Sequence, residues 1–200
     1  MDLKGKHIIL GSNSPRRKEL LSGLNIDFSI DTGNDFKESF DAGIPYFEIP
    51  ARMSEGKSHG FHRPLSDDEL LITADTVVIL PEADDRPAEI LGKPKDREDA
   101  VRMLRDLSGR EHAVVTAVTL RDNRREETLI DTTLVWFKEL TGSEIDYYVD
   151  TFRPYDKAGA YGIQEWIGYI GITRLEGSYF NVVGFPVHRV YEALCRFLAL

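Results

Sequence analysis

Two consecutive arginines open a helix that ought to repel them. In Leu10-Gly11-Ser12-Asn13-Ser14-Pro15-Arg16-Arg17, Ser14 is a preferred N-cap type and Pro15 suits the first helical position. The spacing of Leu20, Leu21 and Leu24 then predicts a helix over residues 15–22. The positive end of a helix dipole favours acids by ~0.3–1 kcal/mol each, yet this first turn carries Arg16 and Arg17. An anion resolves the conflict: free backbone N–H groups, the hydroxyls of Ser12 and Ser14 and two guanidinium groups suit a phosphate. A solvated basic turn, or a serine-proline segment modified by a kinase, is the alternative.

Asp75 is the second chemical signal. It interrupts the apolar run at residues 70–80, which reads as a central strand covered on both faces. A carboxylate there costs several kcal/mol unless it is paired or bound to a metal, so it points to chemistry, with a buried acid capping a neighbouring loop as the alternative. Thr76 follows on the opposite face. Lys57 shares a helical face with Met53 and Phe61, aimed at packing or a cleft, although a snorkelling lysine fits as well. Ile90-Leu91-Gly92-Lys93-Pro94 delivers a second lysine at a strand end, without the residues of a Walker A loop. In Asp156-Lys157-Ala158-Gly159-Ala160-Tyr161-Gly162-Ile163-Gln164 the small residues imply a tight turn that a ligand can approach, with Tyr161 and Gln164 available to a base. Close packing without a ligand is the other reading. The loop at residues 31–44 carries Asp35, Glu38 and Asp41, and loop acids are mostly solvated. His59 and His62 have metal-ligand spacing but no nearby third ligand, so surface histidines are expected.

The elements that must position these residues alternate between strand and helix. Residues 7–11 and 28–30 read as strands, residues 50–61 as a helix weakened by Gly56 and Gly60, and residues 96–107 as a helix capped by Asp96. Residues 112–120 and 127–137 pair around a polar turn, Ser143 caps a helix to Asp150, and residues 167–172 read as a strand. A final helix from Pro186 buries Val187, Val190, Tyr191, Leu194, Phe197 and Leu198. No repeat or linker interrupts the chain, and one α/β domain spanning residues 1–200 is expected.

Composition removes several functions. A net charge of -9 over 200 residues argues against a broad nucleic-acid surface, whose affinity comes chiefly from neutralised phosphates. No stretch approaches the ~20 apolar residues of a membrane span. The single cysteine, Cys195, excludes an intramolecular disulfide and fits a reducing cytosol, so a cytoplasmic protein is expected.

Taken together, Ser12-Asn13-Ser14-Pro15-Arg16-Arg17-Lys18-Glu19-Leu20-Leu21, Ala74-Asp75-Thr76-Val77-Val78, Gly92-Lys93-Pro94 and the motif ending at Gln164 resemble the Maf family of nucleoside triphosphate pyrophosphatases. The resemblance covers nearly the whole chain. It implies an α/β fold: an elongated mixed sheet flanked by helices, in two lobes with a central cleft, shared with inosine triphosphate pyrophosphatases. The last motif resembles the branch acting on dTTP and UTP; the branch acting on 7-methyl-GTP differs there. By resemblance, Asp75 is the catalytic acid, Arg16, Thr76 and Gln164 bear on nucleotide choice, and Arg17, Lys57 and Lys93 bind phosphates. The family's loop acid is matched to Glu38 in Lys37-Glu38-Ser39-Phe40, with Asp35 the alternative in a loop that departs from the common pattern. Ser58 stands where the family usually has alanine after the lysine. Glu38 and Asp75 then hold Mg²⁺ or Mn²⁺ while Ser12, Ser14 and the four cations take the phosphates. The implied partner is a nucleoside triphosphate, with no nucleic acid or membrane, and a homodimer is compatible. A regulatory binding protein linked to cell division is the competing class.

Overall fold

A computed structural model describes residues 2–37, 43–82 and 87–199; Glu38, Asp41 and residues 83–86 lie outside the described residues. Among the described residues seven strands form one mixed sheet, in the order β2 (Phe28–Ile30), β1 (His7–Leu10), β3 (Glu69–Leu80), β5 (Glu111–Arg121), β6 (Glu126–Phe137) and β7 (Ile172–Glu176), with β4 (Glu89–Leu91) paired to β3. β1 runs parallel to β2 and to β3. The β1 pairing ends at Leu10↔Ile72, whereas β4 runs antiparallel to β3 from Val78 onward. Asp75 falls between these two pairings. β5 and β6 are the expected pair of long strands, and β7 runs antiparallel to β6.

The chain divides into two compact units, and β3, β5 and β6 contribute residues to both. The first comprises Met1–Asp75, Thr116–Asp131 and Gly184–Leu200. Its core joins Ile8 and Leu10 of β1, Leu70 and Ile72 of β3, and Leu21 of α1 (Pro15–Ser22) to Val190, Leu194 and Phe197 of α7 (Val187–Leu198). Each such side chain fully buried contributes ~1.5–3 kcal/mol relative to exposure. Tyr191, expected on the packed face of α7, is exposed because it lies one residue off the Val190–Leu194–Phe197 stripe.

The second unit comprises Thr76–Val115 and Thr132–Val183. Here α3 (Arg97–Leu107) packs Leu104 and Leu107 inward, and Asp96 caps it as expected by accepting from the Asp99 N–H at 2.9 Å. α4 (Gly142–Phe152) starts before the expected Ser143, because Thr141 and Glu144 form a reciprocal capping box. Such a cap is worth ~1 kcal/mol. Residues 167–171 are helical rather than extended: α5 (Trp166–Gly171) buries Ile167 and Gly171, four apart, and exposes Tyr169. A six-residue apolar run carries no periodicity that separates strand from buried helix. A short α6 (Tyr179–Val183) precedes Gly184 and had no clear sequence signal. Among the described residues no helix is long and apolar enough to cross a membrane.

Candidate active site

Within the first unit, the helix start and Asp75 come together through Arg17. Its Nη1 donates to the Ala74 carbonyl at 2.8 Å and to Ser12 Oγ at 3.4 Å, and its Nε donates to the Gly184 carbonyl at 3.0 Å. Arg17 therefore faces inward, as its position above the buried leucines predicted, and braces the strand residue that precedes Asp75. Arg16 is half-buried. Ser14 occupies the N-cap with extended backbone, but its side chain caps nothing; its own N–H donates to Ser12 Oγ at 3.3 Å. The helix start carries two arginines, two hydroxyls and first-turn N–H groups, donor types suited to phosphate oxygens.

Lys57 reaches Asp75, Nζ to Oδ1, at 2.6 Å, with the two side chains 21% and 17% exposed. This pairing removes most of the cost of a carboxylate in an apolar strand. Reciprocal hydrogen bonds fix α2 (Ile49–His59) against β3: Ser54 Oγ donates to the Thr73 carbonyl at 3.1 Å and Thr73 Oγ1 to the Ser54 carbonyl at 2.8 Å. Ser54 is one helical turn before Lys57, and Thr73 is on the Asp75 face of the strand. The same contact thus sets both members of the pair.

The glycines that weaken α2 have a use. A Cβ on Gly56 would lie 2.3 Å from the Phe36 ring, so only glycine lets that ring sit on the helix. Asn34 Nδ2 donates to the Lys57 carbonyl, and the Asp35 N–H to the Gly60 carbonyl at 2.8 Å. The chain leading toward Glu38 is thereby laid on the helix that carries Lys57, while Asp35 itself is exposed. Glu38 lies outside the described residues. His59 and His62 have separate carboxylate partners: His59 pairs with Glu126 at 2.9 Å and His62 with Asp31 at 3.0 Å. The hydrogen bond to His62 holds the Asp31 carboxyl below its ordinary value.

In the second unit, Thr76 continues β3 half-buried, and Lys93 is exposed just past β4. The Gly92-Lys93-Pro94 stretch meets the small-residue motif directly, since the Gly159 N–H donates to the Gly92 carbonyl at 3.0 Å. Gly159 has φ +66 and would place a Cβ 2.9 Å from Val78, so both its backbone and its contact require glycine. Gln164 Oε1 is buried and has no hydrogen-bond partner among the described residues.

Tyr161 is not available to a base. Its ring is 5% exposed and packs on Phe137, and its hydroxyl is hydrogen-bonded to His112 Nε2 at 2.8 Å. A phenol with a buried partner gains more inside than at a ligand surface. Sequence reasoning also gave no role to Lys157, which is 7% exposed and paired with Asp156 at 2.7 Å and Glu165 at 3.0 Å. Its signal was a lysine directly after an acid at the head of a run of small residues.

Burial holds the His112 imidazole down to about 3, so it is neutral in the folded protein. In the unfolded chain it takes a proton below about pH 6.5. Between those values the unfolded state binds the extra proton, and stability falls as pH falls, by up to about 1.4 kcal/mol per pH unit. Ion-paired carboxylates such as Glu69, held at about 2 by Arg63, add their own loss only at lower pH. Urea midpoints between about pH 6.5 and 5 should therefore decline in the wild type and flatten in a folded His112→Gln. An equal decline in both would assign the effect elsewhere.

The fold and these residues define an α/β protein whose cations and strand carboxylate suit a phosphate-bearing ligand. The family model described as Maf-like protein matches residues 7–197, and the chain belongs to the Maf family. It is 50% identical over 198 residues to a Porphyromonas gingivalis protein named dTTP/UTP pyrophosphatase, covering 98% of this chain and 96% of that one. Proteins of the same name from Parabacteroides distasonis and Bacteroides thetaiotaomicron are 44% and 46% identical, over 98% and 94% of this chain and the same shares of their own length.

Proposed function

We propose that this protein hydrolyses dTTP and UTP, with water, to the nucleoside monophosphate and pyrophosphate. The observation that carries the reading is Asp75, a carboxylate held by Lys57 inside β3, in a chain that matches relatives of that name along nearly its whole length. A nucleoside triphosphate carries about four negative charges, which call for several cations and a divalent metal. Arg16, Arg17, Lys57 and Lys93 take the phosphate charge, and Ser12 and Ser14 donate to phosphate oxygens. Lys57 also orients Asp75, which accepts a proton from the water that attacks the α-phosphorus. Thr76 and Gln164 bear on the nucleoside end.

The donor chemistry fits a metal. Lys57 engages Oδ1 of Asp75, and the carboxylate's second oxygen is the hard ligand that Mg²⁺ or Mn²⁺ prefers. Glu38 is the proposed second ligand. Bound there, the ion supplies neutralisation of phosphate charge and a more acidic water. A regulatory role in cell division rests on the basic helix start alone, and a binding module has no use for Asp75. We place the protein in the cytoplasm, acting on free nucleotides and not on nucleic acid, in keeping with its net charge of -9. A homodimer is the assembly to test by sedimentation.

Pyrophosphate release across a nucleotide panel tests the substrate. Thymine differs from uracil by a methyl, so dTTP and UTP should lie within ~10–200-fold of each other in kcat/KM. Both should exceed ATP and GTP, whose base edges do not match, and Gln164→Ala should erode that preference more than it weakens phosphate binding. A wild type that favours GTP or 7-methyl-GTP would remove the pyrimidine assignment.

A further inference from the structure

Gln164 lies between residues held by a buried network, while its own amide oxygen has no partner among the described residues. Tyr148, on α4 and fully buried, donates its hydroxyl to Glu165 Oε2 and accepts the Gly162 N–H at 3.0 Å. The residue after Gln164 and the residue two before it are therefore tied to one phenol. Lys157 holds Glu165 by its other oxygen, Oε1, at 3.0 Å, and is itself held by Asp156. Burial, then the hydrogen bond to Glu165, push the Tyr148 phenol above its ordinary value of 10.0, so it stays a donor. A buried acceptor left unpaired costs ~1–3 kcal/mol, and a network this complete around Gln164 makes its unpaired oxygen stand out.

An amide by itself does not separate uracil from cytosine. Uracil offers the N3–H donor beside the O2 acceptor, and cytosine the N4–H donor beside the N3 acceptor. These are the same donor–acceptor pair displaced by one ring position. Choice between them depends on where the amide is held, within ~0.5 Å for a discriminating site. We propose that Tyr148, Glu165 and Lys157 are positioning residues that hold Gln164 in register with uracil or thymine and thereby set pyrimidine selectivity. The inference rests on the reading of the protein as a dTTP/UTP pyrophosphatase and assigns its base choice to a buried network that touches no substrate.

The test compares kcat/KM for UTP and CTP in the wild type, Tyr148→Phe, Glu165→Gln, Gln164→Ala and the double variant Tyr148→Phe/Gln164→Ala, each checked for folding by thermal melting. The wild type should prefer UTP, and Tyr148→Phe should lower the UTP:CTP ratio by about tenfold or more, the worth of one well-placed hydrogen bond. Glu165→Gln nearly keeps the side-chain shape and gives the same reading if Tyr148→Phe fails to fold. Because the network acts through Gln164, the double variant should be no less selective than Gln164→Ala alone. General loosening would instead lower both activities and leave the ratio. An unchanged ratio in the folded single variants, or further loss in the double variant, overturns the proposal. So does a wild type equally active on UTP and CTP, which leaves the pyrophosphatase reading standing. A wild type inactive on UTP, dTTP and CTP overturns that reading, and this inference with it.

Discussion

Asp75→Asn should abolish most turnover while leaving the fold intact, with kcat for pyrophosphate release from dTTP falling by ~10²–10⁴. Asparagine nearly conserves volume and can still accept from Lys57 Nζ through its amide oxygen, so the 2.6 Å contact has a substitute. The substitution removes the negative charge, and with it the proposed proton acceptor and hard metal ligand. Stability should respond differently. Removing one partner of an ion pair is costly when the charge left behind stays buried, but Lys57 keeps enough exposure to reach water, and the asparagine's amide oxygen replaces the carboxylate as a neutral acceptor. The melting temperature should therefore move by only a few degrees, in either direction. A structural acid predicts the reverse, a large drop in melting temperature with near-normal kcat per folded molecule, and that outcome would remove Asp75 from the mechanism.

Much of this was legible because local chemistry and tertiary packing agreed. Pro15, the leucine spacing and Gly23 bound α1 at residues 15–22, all of them local signals. The apolar run broken by Asp75 is likewise a central strand, and its acid has the partner that its cost demanded. Gly56 and Gly60 read as flaws in α2 because the reasons for them, the Phe36 ring over Gly56 and the Asn34–Phe36 segment against Gly60, come from a loop some twenty residues earlier. The burial of Tyr161 is hidden from the sequence for a related reason. Its hydroxyl is satisfied by His112, 49 residues away, and nothing near Tyr161 in the chain announces that partner. Lys157 and Tyr148 show the same limit, since a buried network is assembled from residues whose types are individually ordinary. Short apolar runs are ambiguous in sequence where helix and strand bury the same composition, as at α5.

Chelation should bring hydrolysis to background and added Mg²⁺ or Mn²⁺ should restore it, and the loop acid can be identified in the same assay. Glu38→Gln should reduce kcat on the order of 10²-fold or more and raise the metal concentration needed for half-activity, because it removes an anionic oxygen from a hard-cation site. Asp35→Asn should stay close to wild type. Asp35 gives its N–H to the Gly60 carbonyl and its side chain is exposed, so its role is to carry the chain across the end of α2. Phe36 then seats on Gly56 of the helix that presents Lys57 to Asp75, and the next acid in the sequence is Glu38. If Asp35→Asn is the damaging change and Glu38→Gln is silent, the loop acid is Asp35 and the match of this loop to the family pattern must shift by three residues. If chelation leaves activity unchanged, the cations alone handle the triphosphate, and Asp75 acts as a base without a metal.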